Sequence, residues 1–293
     1  MKNVLIAGGS GMIGSELSNL LKEKGYTVKI LSRKSSANFV SWSPEKIEID
    51  SESVNDTEIL INLSGTGIDE KRWTANRKKE LVSSRIDTTN SLYALRENFP
   101  NLKQYISASG ITAYGFDEGV IEHAETDNYG TDFLSQLVKQ WEEAADQFSS
   151  IAKVVKLRIA VVLTEKGGAL PKLMKPIKYG IGSPIGTGKQ QMPWVHIDDL
   201  VRTFEHAIAN DLYGVYNTNA GNSSNEELTK ELAHQMKKPF WFPNIPGFIL
   251  KIMFGEMSEM LLKGAKADNS KLVDSGYEFK YLKLEDALGE LLK

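Results

Sequence analysis

The stretch Val4-Leu5-Ile6-Ala7-Gly8-Gly9-Ser10-Gly11-Met12-Ile13-Gly14 decides the fold of this chain. A short apolar run, a glycine cluster and an amphipathic run over residues 15–24 predict a strand, a tight turn and a helix. In such a unit one glycine permits the turn, one lets the backbone approach a pyrophosphate, and one lets the helix lie close to the sheet. Free N–H groups at the helix start attract phosphate. The stretch therefore predicts a dinucleotide site built on Gly8, Gly11 and Gly14.

Composition narrows the class of protein. The chain has 293 residues, of which 41% are hydrophobic and 25% charged, as is typical of a globular protein. The formal charge of −3 gives no basic field, so we expect neither nucleic acid nor an anionic membrane as a partner. The lack of cysteine excludes disulfides and Cys-ligated metal. We expect a cytoplasmic monomer or homodimer with no metal site, no signal peptide and no membrane-spanning segment.

The end of the second predicted strand bears on the choice of cofactor. Residues 27–31 alternate like a strand and lead into Ser32-Arg33-Lys34. An acid at this position bonds a ribose 2′-hydroxyl, whereas an arginine accommodates a 2′-phosphate. Two cations and no acid predict a preference for NADP, in the form of NADPH over NADH. The alternative is a solvated Arg-Lys pair at a strand end.

Strands and helices alternate over the first ~165 residues, which predicts an α/β fold with a doubly wound parallel sheet of the Rossmann type. We expect residues 1–165 to form the dinucleotide-binding domain, with 192–217 returning to it. Residues 166–293 would form a smaller, mainly helical lobe on the substrate side, with a helical module over about 238–293. Within this arrangement we predict one long helix over 74–97, a single strand over 154–163, and Asp198 with Asp199 as helix caps.

Two further strand ends carry polar residues. Asn62, Ser64 and Gly65 follow a buried strand at the sheet edge where α/β proteins bind ligands, although an ordinary turn explains each residue nearly as well. Ser109 and Tyr114 follow the next strand, where hydroxyl groups polarise a substrate carbonyl. For Tyr114 the alternative role is packing beneath the turn.

By these motifs the chain resembles the short-chain dehydrogenase/reductase superfamily in its extended form. The motifs are the glycine turn, the serine-rich strand end over 107–115, and Val195-His196-Ile197-Asp198-Asp199. Runs such as Asn62-Leu63-Ser64-Gly65 and Trp141-Glu142 are similar to an atypical branch of NAD(P)-dependent epimerase/dehydratase-like proteins. The resemblance implies a Rossmann fold, a nicotinamide cofactor and a C-terminal module of undefined role.

Motifs and resemblance together give two sets of candidate residues. The predicted cofactor-binding residues are Gly8, Ser10, Gly11, Met12, Ile13, Gly14, Ser32, Arg33, Lys34, Asn62, Leu63, Ser64, Gly65, Arg85 and Ser107. The predicted catalytic residues are Ser109 and Tyr114. Tyr129, in the loop before the next helix, is a further phenol that could approach the site.

The chain departs from the superfamily at the catalytic pair. Working members carry Tyr-x-x-x-Lys on the helix predicted here over 132–148, where lysine lowers the pKa of the tyrosine. The residue four before Lys139 is Ser135, a far weaker acid than a phenol. A register based on Glu142 places Leu134 and Val138 at the pair. We therefore expect one of two functions. The first is an NADP-dependent, epimerase-like oxidoreductase acting on a small molecule, with a nucleotide sugar as one candidate; the second is a non-catalytic NADP-binding protein that senses redox state.

Overall fold

Strands and helices alternate along most of the chain. The computed structural model describes residues 2–32, 39–117, 119 and 121–293. The strands are β1 Asn3–Ala7, β2 Thr27–Ser32, β3 Phe39–Ser43, β4 Glu48–Ile49, β5 Ile59–Asn62, β6 Gln104–Gly110, β7 Glu122–His123, β8 Lys153–Ile159, β9 Val161–Leu163, β10 Gln191–His196, β11 Gly214–Thr218, β12 Gly221–Ser224 and β13 Lys266–Ala267. The α-helices are α1 Met12–Glu23, α2 Ala75–Ser83, α3 Ile86–Ala94, α4 Phe133–Asp146, α5 Ala169–Lys178, α6 Ile197–Ala209, α7 Asn225–Gln235, α8 Gly247–Phe254, α9 Glu259–Leu262, α10 Ser270–Asp274 and α11 Leu284–Leu291.

The main sheet is doubly wound, as the alternating pattern predicts. Within the described residues its strand order is β11-β8-β6-β5-β1-β2-β3-β4. Neighbouring strands are parallel except β4, which runs antiparallel to β3. The chain winds outward from β1 in one direction through β2 and in the other through β5. The switch point therefore lies between the carboxyl ends of β1 and β5, where open α/β sheets bind their ligands.

Successive residues of β1 point to opposite faces of the sheet, and each face carries a core. Val4 and Ile6 pack with Leu17 and Leu21 of α1 and with Phe204 of α6. The other face forms a second core, which includes Leu5, Ala7, Leu92, Tyr105 and Phe148. Both faces of the central strands are thus covered, which explains why their sequences are continuously apolar.

Two predicted elements are each divided in the structure. The region 74–97 forms α2 and α3, separated at Ser84 and Arg85, and ends in a 3-10 turn, Arg96–Asn98. The break coincides with the Arg85 guanidinium, which donates to the Leu81 carbonyl and across to the Thr66 carbonyl. The predicted strand 154–163 divides at Ala160, because β9 leaves the main sheet and pairs with β10 in a separate three-stranded sheet.

Asp199 connects α6 to the C-terminal segment rather than capping the helix. The cap is His196, whose Nδ1 accepts from the Asp198 amide. The Asp199 carboxylate is fully buried and accepts from the backbone amides of Lys280 and Tyr281 at 2.7 and 2.9 Å. These charge-assisted bonds hold the chain after α10 against the start of α6. Among the described residues, no helix has the length and apolar content needed to cross a membrane.

The packing of α1 against the turn makes Gly14 sensitive to substitution. A Cβ at Gly14 would lie 2.5 Å from the carbonyl oxygen of Gly8 and 2.5 Å from the Cα of Gly9. We expect Gly14→Ala to lower the free energy of unfolding by about 1–3 kcal/mol, because the backbone must shift to relieve the overlap. Urea unfolding followed by circular dichroism measures this change. The control is Gly289→Ala in α11, where the nearest atom beyond the helix is 3.5 Å away and stability should hold or rise. Equal losses in the two variants would contradict the packing argument.

Candidate functional site

The glycine turn lies directly against the neighbouring strand end. Gly8 has a φ of +76°, and a Cβ there would lie 2.8 Å from both the carbonyl carbon and oxygen of Leu63. The Leu63 amide donates to the Ala7 carbonyl at 2.9 Å, so β1 and β5 stay paired up to this contact. Only glycine combines this φ with so close an approach of two backbones. The turn therefore opens the sheet edge at the switch point.

The N-terminus of α1 faces the same opening. Gly11 is the N-cap and makes no side-chain cap, and the first helical bond runs from the Ser15 amide to the Gly11 carbonyl at 2.9 Å. The amides of Met12, Ile13 and Gly14 precede that bond and lie at the positive end of the helix. Among the described residues, a Cβ at Gly11 would meet only the Gly8 carbonyl oxygen, at 3.3 Å. The surface of the turn beside Gly11 is thus open to an anion.

A cleft of about 1000 Å³ lies over this edge. It is lined by backbone and hydroxyl groups from several elements, by an apolar wall and by the carboxylates of Glu45, Glu80 and Asp87. The lining residues include Gly8, Ser10, Ser32, Ser64, Gly65, Thr66, Ser84 and Thr88 on the polar side and Leu31, Trp42, Pro44 and Ile47 on the apolar side. An apolar wall beside a phosphate-binding turn suits an adenine ring attached to a diphosphate.

Arg33 and Lys34 lie outside the described residues. The cleft reaches Ser32, the last residue of β2 and the residue directly before Arg33.

Asn62 supports the cleft from beneath. Its side chain is fully buried, and its amide donates to the hydroxyls of Thr89 and Tyr105 at 3.0 Å each. Its Oδ1 accepts from the Ser64 amide, also at 3.0 Å. Every polar atom of the side chain therefore has a protein partner. Asn62 fixes the turn that presents Ser64 and Gly65, and its own contact with the cofactor stays a prediction.

Ser107 is likewise buried and donates to the Ala108 carbonyl at 2.9 Å. Its contact with the cofactor stays a prediction.

Arg85 brings a positive charge beneath the loop of the cleft. Its guanidinium donates to the Thr66 carbonyl at 3.0 Å and lies over the ring of Trp141. A Cβ at Gly65 would touch this guanidinium at 3.0 Å. Burial, and then the charge of Arg77, lowers the pKa of Arg85 to about 10. Within the described part of the chain its partners are carbonyls, a hydroxyl and a ring, so an anion in the cleft would stabilise its charge.

Ser109 takes part in a buried ionic network. Its hydroxyl donates to Glu142 on α4 at 2.5 Å, and the same carboxylate accepts from Nε and Nη2 of Arg158 on β8 at 2.8 and 3.1 Å. Burial alone would raise the pKa of Glu142, but the hydrogen bond and charge of Arg158 outweigh it and leave the pKa lowered. The carboxylate is therefore ionised, and Lys156 Nζ lies 3.9 Å from its Oε2, so Arg158 is the closer of two cations beside it.

Tyr114 lies on one side of the Arg158 guanidinium. Its hydroxyl donates to Asn217 Oδ1 at 2.6 Å and accepts from Arg158 at 3.0 Å. Its ring stacks on His123 with a centroid distance of 4.9 Å. Burial raises the pKa of this phenol to about 12 although Arg158 opposes the shift. Only 6% of the surface of Tyr114 is exposed, so the residue is packed beneath the turn.

Tyr129 lies on the other side of Arg158 and is the most accessible phenol of the network. Its ring centroid is 5.0 Å from the guanidinium carbon, and its hydroxyl donates to Glu142 at 2.7 Å. Burial, and then the negative charge of Glu142, raises its pKa to about 12. Tyr129 thus keeps its proton through the neutral and mildly alkaline range, which suits a proton donor rather than a base.

Neither register of the missing catalytic pair provides an acid. Ser135 is buried, and its hydroxyl donates to the Thr112 carbonyl at 2.9 Å, while Lys139 lies exposed 3.9 Å from Glu143. In the other register Leu134 and Val138 are both buried. Leu134 packs in an apolar cluster with Trp73 and with Met257 of the C-terminal segment.

Sequence reasoning missed Glu142 and Arg158 as partners, although each carried a signal. Arg158 is one of three charged residues of β8, with Lys153 and Lys156, and lies in its buried part, while Glu142 shares a helix face with Val138 and Ala145. A charge on a buried face calls for a partner of opposite sign. Which partner it finds depends on β8 and α4 lying next to each other. Elsewhere in the described chain, no group of three His, Asp or Glu side chains could hold a metal ion.

Comparison with known proteins covers the whole chain. The sequence model of the NAD dependent epimerase/dehydratase family matches residues 4–218, and that of a domain of unknown function, DUF1731, matches residues 245–291. The mouse epimerase family protein SDR39U1 is 32% identical, and the alignment covers 99% of each chain. The epimerase family protein SERP0438 of Staphylococcus epidermidis is 35% identical over 100% of both chains.

Two solved structures show the same architecture. The crystal structure of human epimerase family protein SDR39U1 with NADPH has a TM-score of 0.89 at 31% identity and covers 99% of each chain. The nucleoside-diphosphate sugar epimerase of Corynebacterium glutamicum has a TM-score of 0.80 at 25% identity, over 99% of this chain and 58% of that one. With its glycine turn, its doubly wound sheet and these matches, the chain belongs to the NAD-dependent epimerase/dehydratase family.

Proposed function

We propose that this protein binds NADPH in the cleft at the switch point and is an epimerase-like oxidoreductase of the atypical short-chain dehydrogenase/reductase type. The observation that carries the proposal is the open face of Gly11 between the free α1 N-terminus and the Leu63–Gly65 loop. The diphosphate would lie on the turn, with the adenine against Trp42 and Ile47. The similar human protein was crystallised with NADPH, which supports the same cofactor here.

The preference for the phosphorylated dinucleotide rests on Arg33 and Lys34. They follow Ser32, which lines the cleft. Their guanidinium and ammonium groups would bind the 2′-phosphate, as arginine does when it replaces the usual acid at this position. We further propose a cytoplasmic monomer or homodimer, with residues 1–165 and 192–217 as the cofactor-binding unit and 166–293 as the substrate-side lobe.

For catalysis we propose reduction of a small carbonyl compound, a nucleotide-linked sugar being one candidate. When bound, the nicotinamide would supply a hydride to the carbonyl carbon. The protein must then give the carbonyl oxygen a proton. Ser109, Tyr114 and Tyr129 surround the Glu142–Arg158 pair, and Tyr129 is the least buried of the three hydroxyls. The ion pair would position them without taking part itself.

A second function is favoured by Leu134 and Ser135, which give α4 no phenol at the usual place. In this alternative the protein binds NADPH without turning it over, and a partner recognises the bound conformation. The packing of Met257 against Leu134 supports it, because the C-terminal segment would then report on the cofactor cleft.

The first prediction concerns the cleft as a whole. Gly11→Val should weaken NADPH binding about tenfold to a hundredfold, since extra methyl groups in a close contact cost about 1–3 kcal/mol. The N-cap backbone, with φ −76° and ψ 176°, accommodates valine, so the variant should fold. Titration of NADPH fluorescence measures affinity, and Gly289→Ala serves as control. Unchanged affinity would show that the turn has no role in binding.

A second test separates the two cofactors. Arg33→Glu should weaken NADPH binding by about tenfold or more, the value of one charge-assisted hydrogen bond, and leave NADH binding unchanged. Lys22→Glu, which makes the same charge change at the exposed end of α1, is the matched control. If NADPH and NADH lose affinity equally, the 2′-phosphate assignment is wrong.

The third prediction distinguishes the two functions. In a screen of NADPH oxidation against aldehydes and ketones, Tyr129→Phe should reduce any turnover about 10²–10⁴-fold without changing NADPH affinity. Because the phenol stays protonated up to a pKa of about 12, its titration should not lower the rate in the mildly alkaline range. Tyr213→Phe, at an exposed tyrosine, is the control. Full turnover in Tyr129→Phe and its loss in Tyr114→Phe would transfer the role to Tyr114. No oxidation of NADPH with any carbonyl compound would favour the sensing function.

A further inference from the structure

Two segments far apart in sequence share an unusual composition. Residues 169–189 and 237–255 contain seven lysines and no aspartate or glutamate. The chain as a whole carries a formal charge of −3, so this positive charge is locally concentrated. The sequence-based expectation of no anionic membrane partner rested on the overall charge. That value does not show where in the chain the positive charge is concentrated.

The two segments lie next to each other in the fold. Ile185 and Ile245 make a parallel bridge, and the Gly186 amide donates to the Ile245 carbonyl at 2.9 Å. The Ser183 hydroxyl donates to the Pro243 carbonyl at 2.6 Å. The chain then enters α8 at Gly247 without leaving this neighbourhood. We call the exposed side of residues 175–181 and 237–253 the basic apolar face.

Large apolar side chains project from this face. Of the eight residues of α8 only Leu250 is buried. The most exposed side chains are Tyr179, Trp241, Phe248, Ile252 and Met253, each 59–74% accessible. Contiguous exposed apolar area of this kind marks an interaction site. Trp241 and Phe242 are in ring contact with centroids 4.6 Å apart, and Phe248, Ile252 and Met253 all lie on α8. A flat, deformable partner can contact these side chains together.

Within the described parts of the chain, the lysines of the face have no carboxylate partners. Lys175, Lys178, Lys237, Lys238 and Lys251 are exposed, and no ion pair joins any of them to an acid of the described chain. The neighbouring Lys172, by contrast, pairs with Asp69 at 2.7 Å. A second copy of the chain is a poor occupant, because a two-fold interface would bring the two sets of lysines together.

We propose that the basic apolar face docks on an anionic lipid bilayer. The aromatic and aliphatic side chains would enter the headgroup boundary while the lysines reach the lipid phosphates. Neither signal alone gives stable attachment, but apolar insertion and electrostatic attraction together do. The cytoplasmic leaflet carries the required negative charge. Docking of this kind places no segment across the membrane and leaves the cofactor cleft intact.

Vesicle flotation tests the proposal on the full chain. The protein should float with phosphatidylcholine vesicles that contain phosphatidylserine, and not with phosphatidylcholine alone. Phe248→Ser with Ile252→Ser should weaken binding about tenfold or more, and so should Lys175→Glu with Lys178→Glu. The matched control is Tyr213→Ser with Leu282→Ser, which removes two equally exposed apolar side chains outside both segments. High salt should weaken binding.

Trp241 supplies a second readout. It is 69% exposed, whereas Trp42, Trp73, Trp141 and Trp194 are all buried. Anionic vesicles should therefore shift tryptophan emission to shorter wavelength, and Trp241→Phe should abolish the shift. NADPH titration of every variant should match the unmodified protein, which keeps this test separate from the proposed cofactor site.

Three results would overturn the proposal. The first is the absence of flotation with anionic vesicles. The second is equal flotation with neutral and with anionic vesicles, or equal flotation of the lysine variant and the unmodified protein. Either result would show that electrostatic attraction does not contribute to binding. The third is a dimer in light scattering that the Phe248 and Ile252 substitutions dissociate, which would assign the face to a contact between copies.

Discussion

The close backbone contact between Gly8 and Leu63 is the constraint on which the rest of the structure depends. It lets β1 and β5 remain paired to their ends while the chain turns away into α1. That turn places the positive end of α1 over the switch point, and Gly14 brings the helix close enough to cover the sheet. Two apolar cores result, because α1 packs on one face of the main sheet and helices later in the chain pack on the other. The cleft lies between the connections that follow β1 and β5, because these two connections diverge at the switch point.

The Glu142–Arg158 pair, between α4 and β8, is the second organising interaction. Three hydroxyls, from Ser109, Tyr114 and Tyr129, take their positions from this one ion pair and from Asn217. A buried pair with so many satisfied donors is costly to break and contributes little net stability, so its value lies in fixing geometry. The absence of a phenol in either register of α4 therefore does not leave the region without hydroxyl groups. The hydroxyl groups around the pair come instead from β6 and from the segment between β6 and α4.

The local patterns determined the fold class. Apolar runs, helical periodicity and the glycine spacing located β1, α1, β2, β5, β6, α4 and α6 to within a few residues, because each depends on neighbours in sequence. The same holds for the phosphate-binding turn, whose three glycines are required by the local backbone. It holds too for the absence of a Tyr-x-x-x-Lys pair, which is a property of spacing alone. The division of the long helix at Arg85 and of the long strand at Ala160 could not be found in this way, since each results from a partner distant in sequence.

Tertiary structure alone decided the roles of individual polar side chains. Asn62 and Ser107 lie at the predicted strand ends, yet burial and internal hydrogen bonds make them supports for the cleft. Asp199 was expected to cap a helix and instead holds the C-terminal segment. The basic apolar face exists only because residues 169–189 and 237–255 meet in space. The sequence by itself thus determined which elements form and where a diphosphate can approach, because backbone geometry and periodicity are local. What each charge and hydroxyl does was decided by packing, because a hydrogen bond or ion pair depends on which groups the fold brings within about 3 Å of each other.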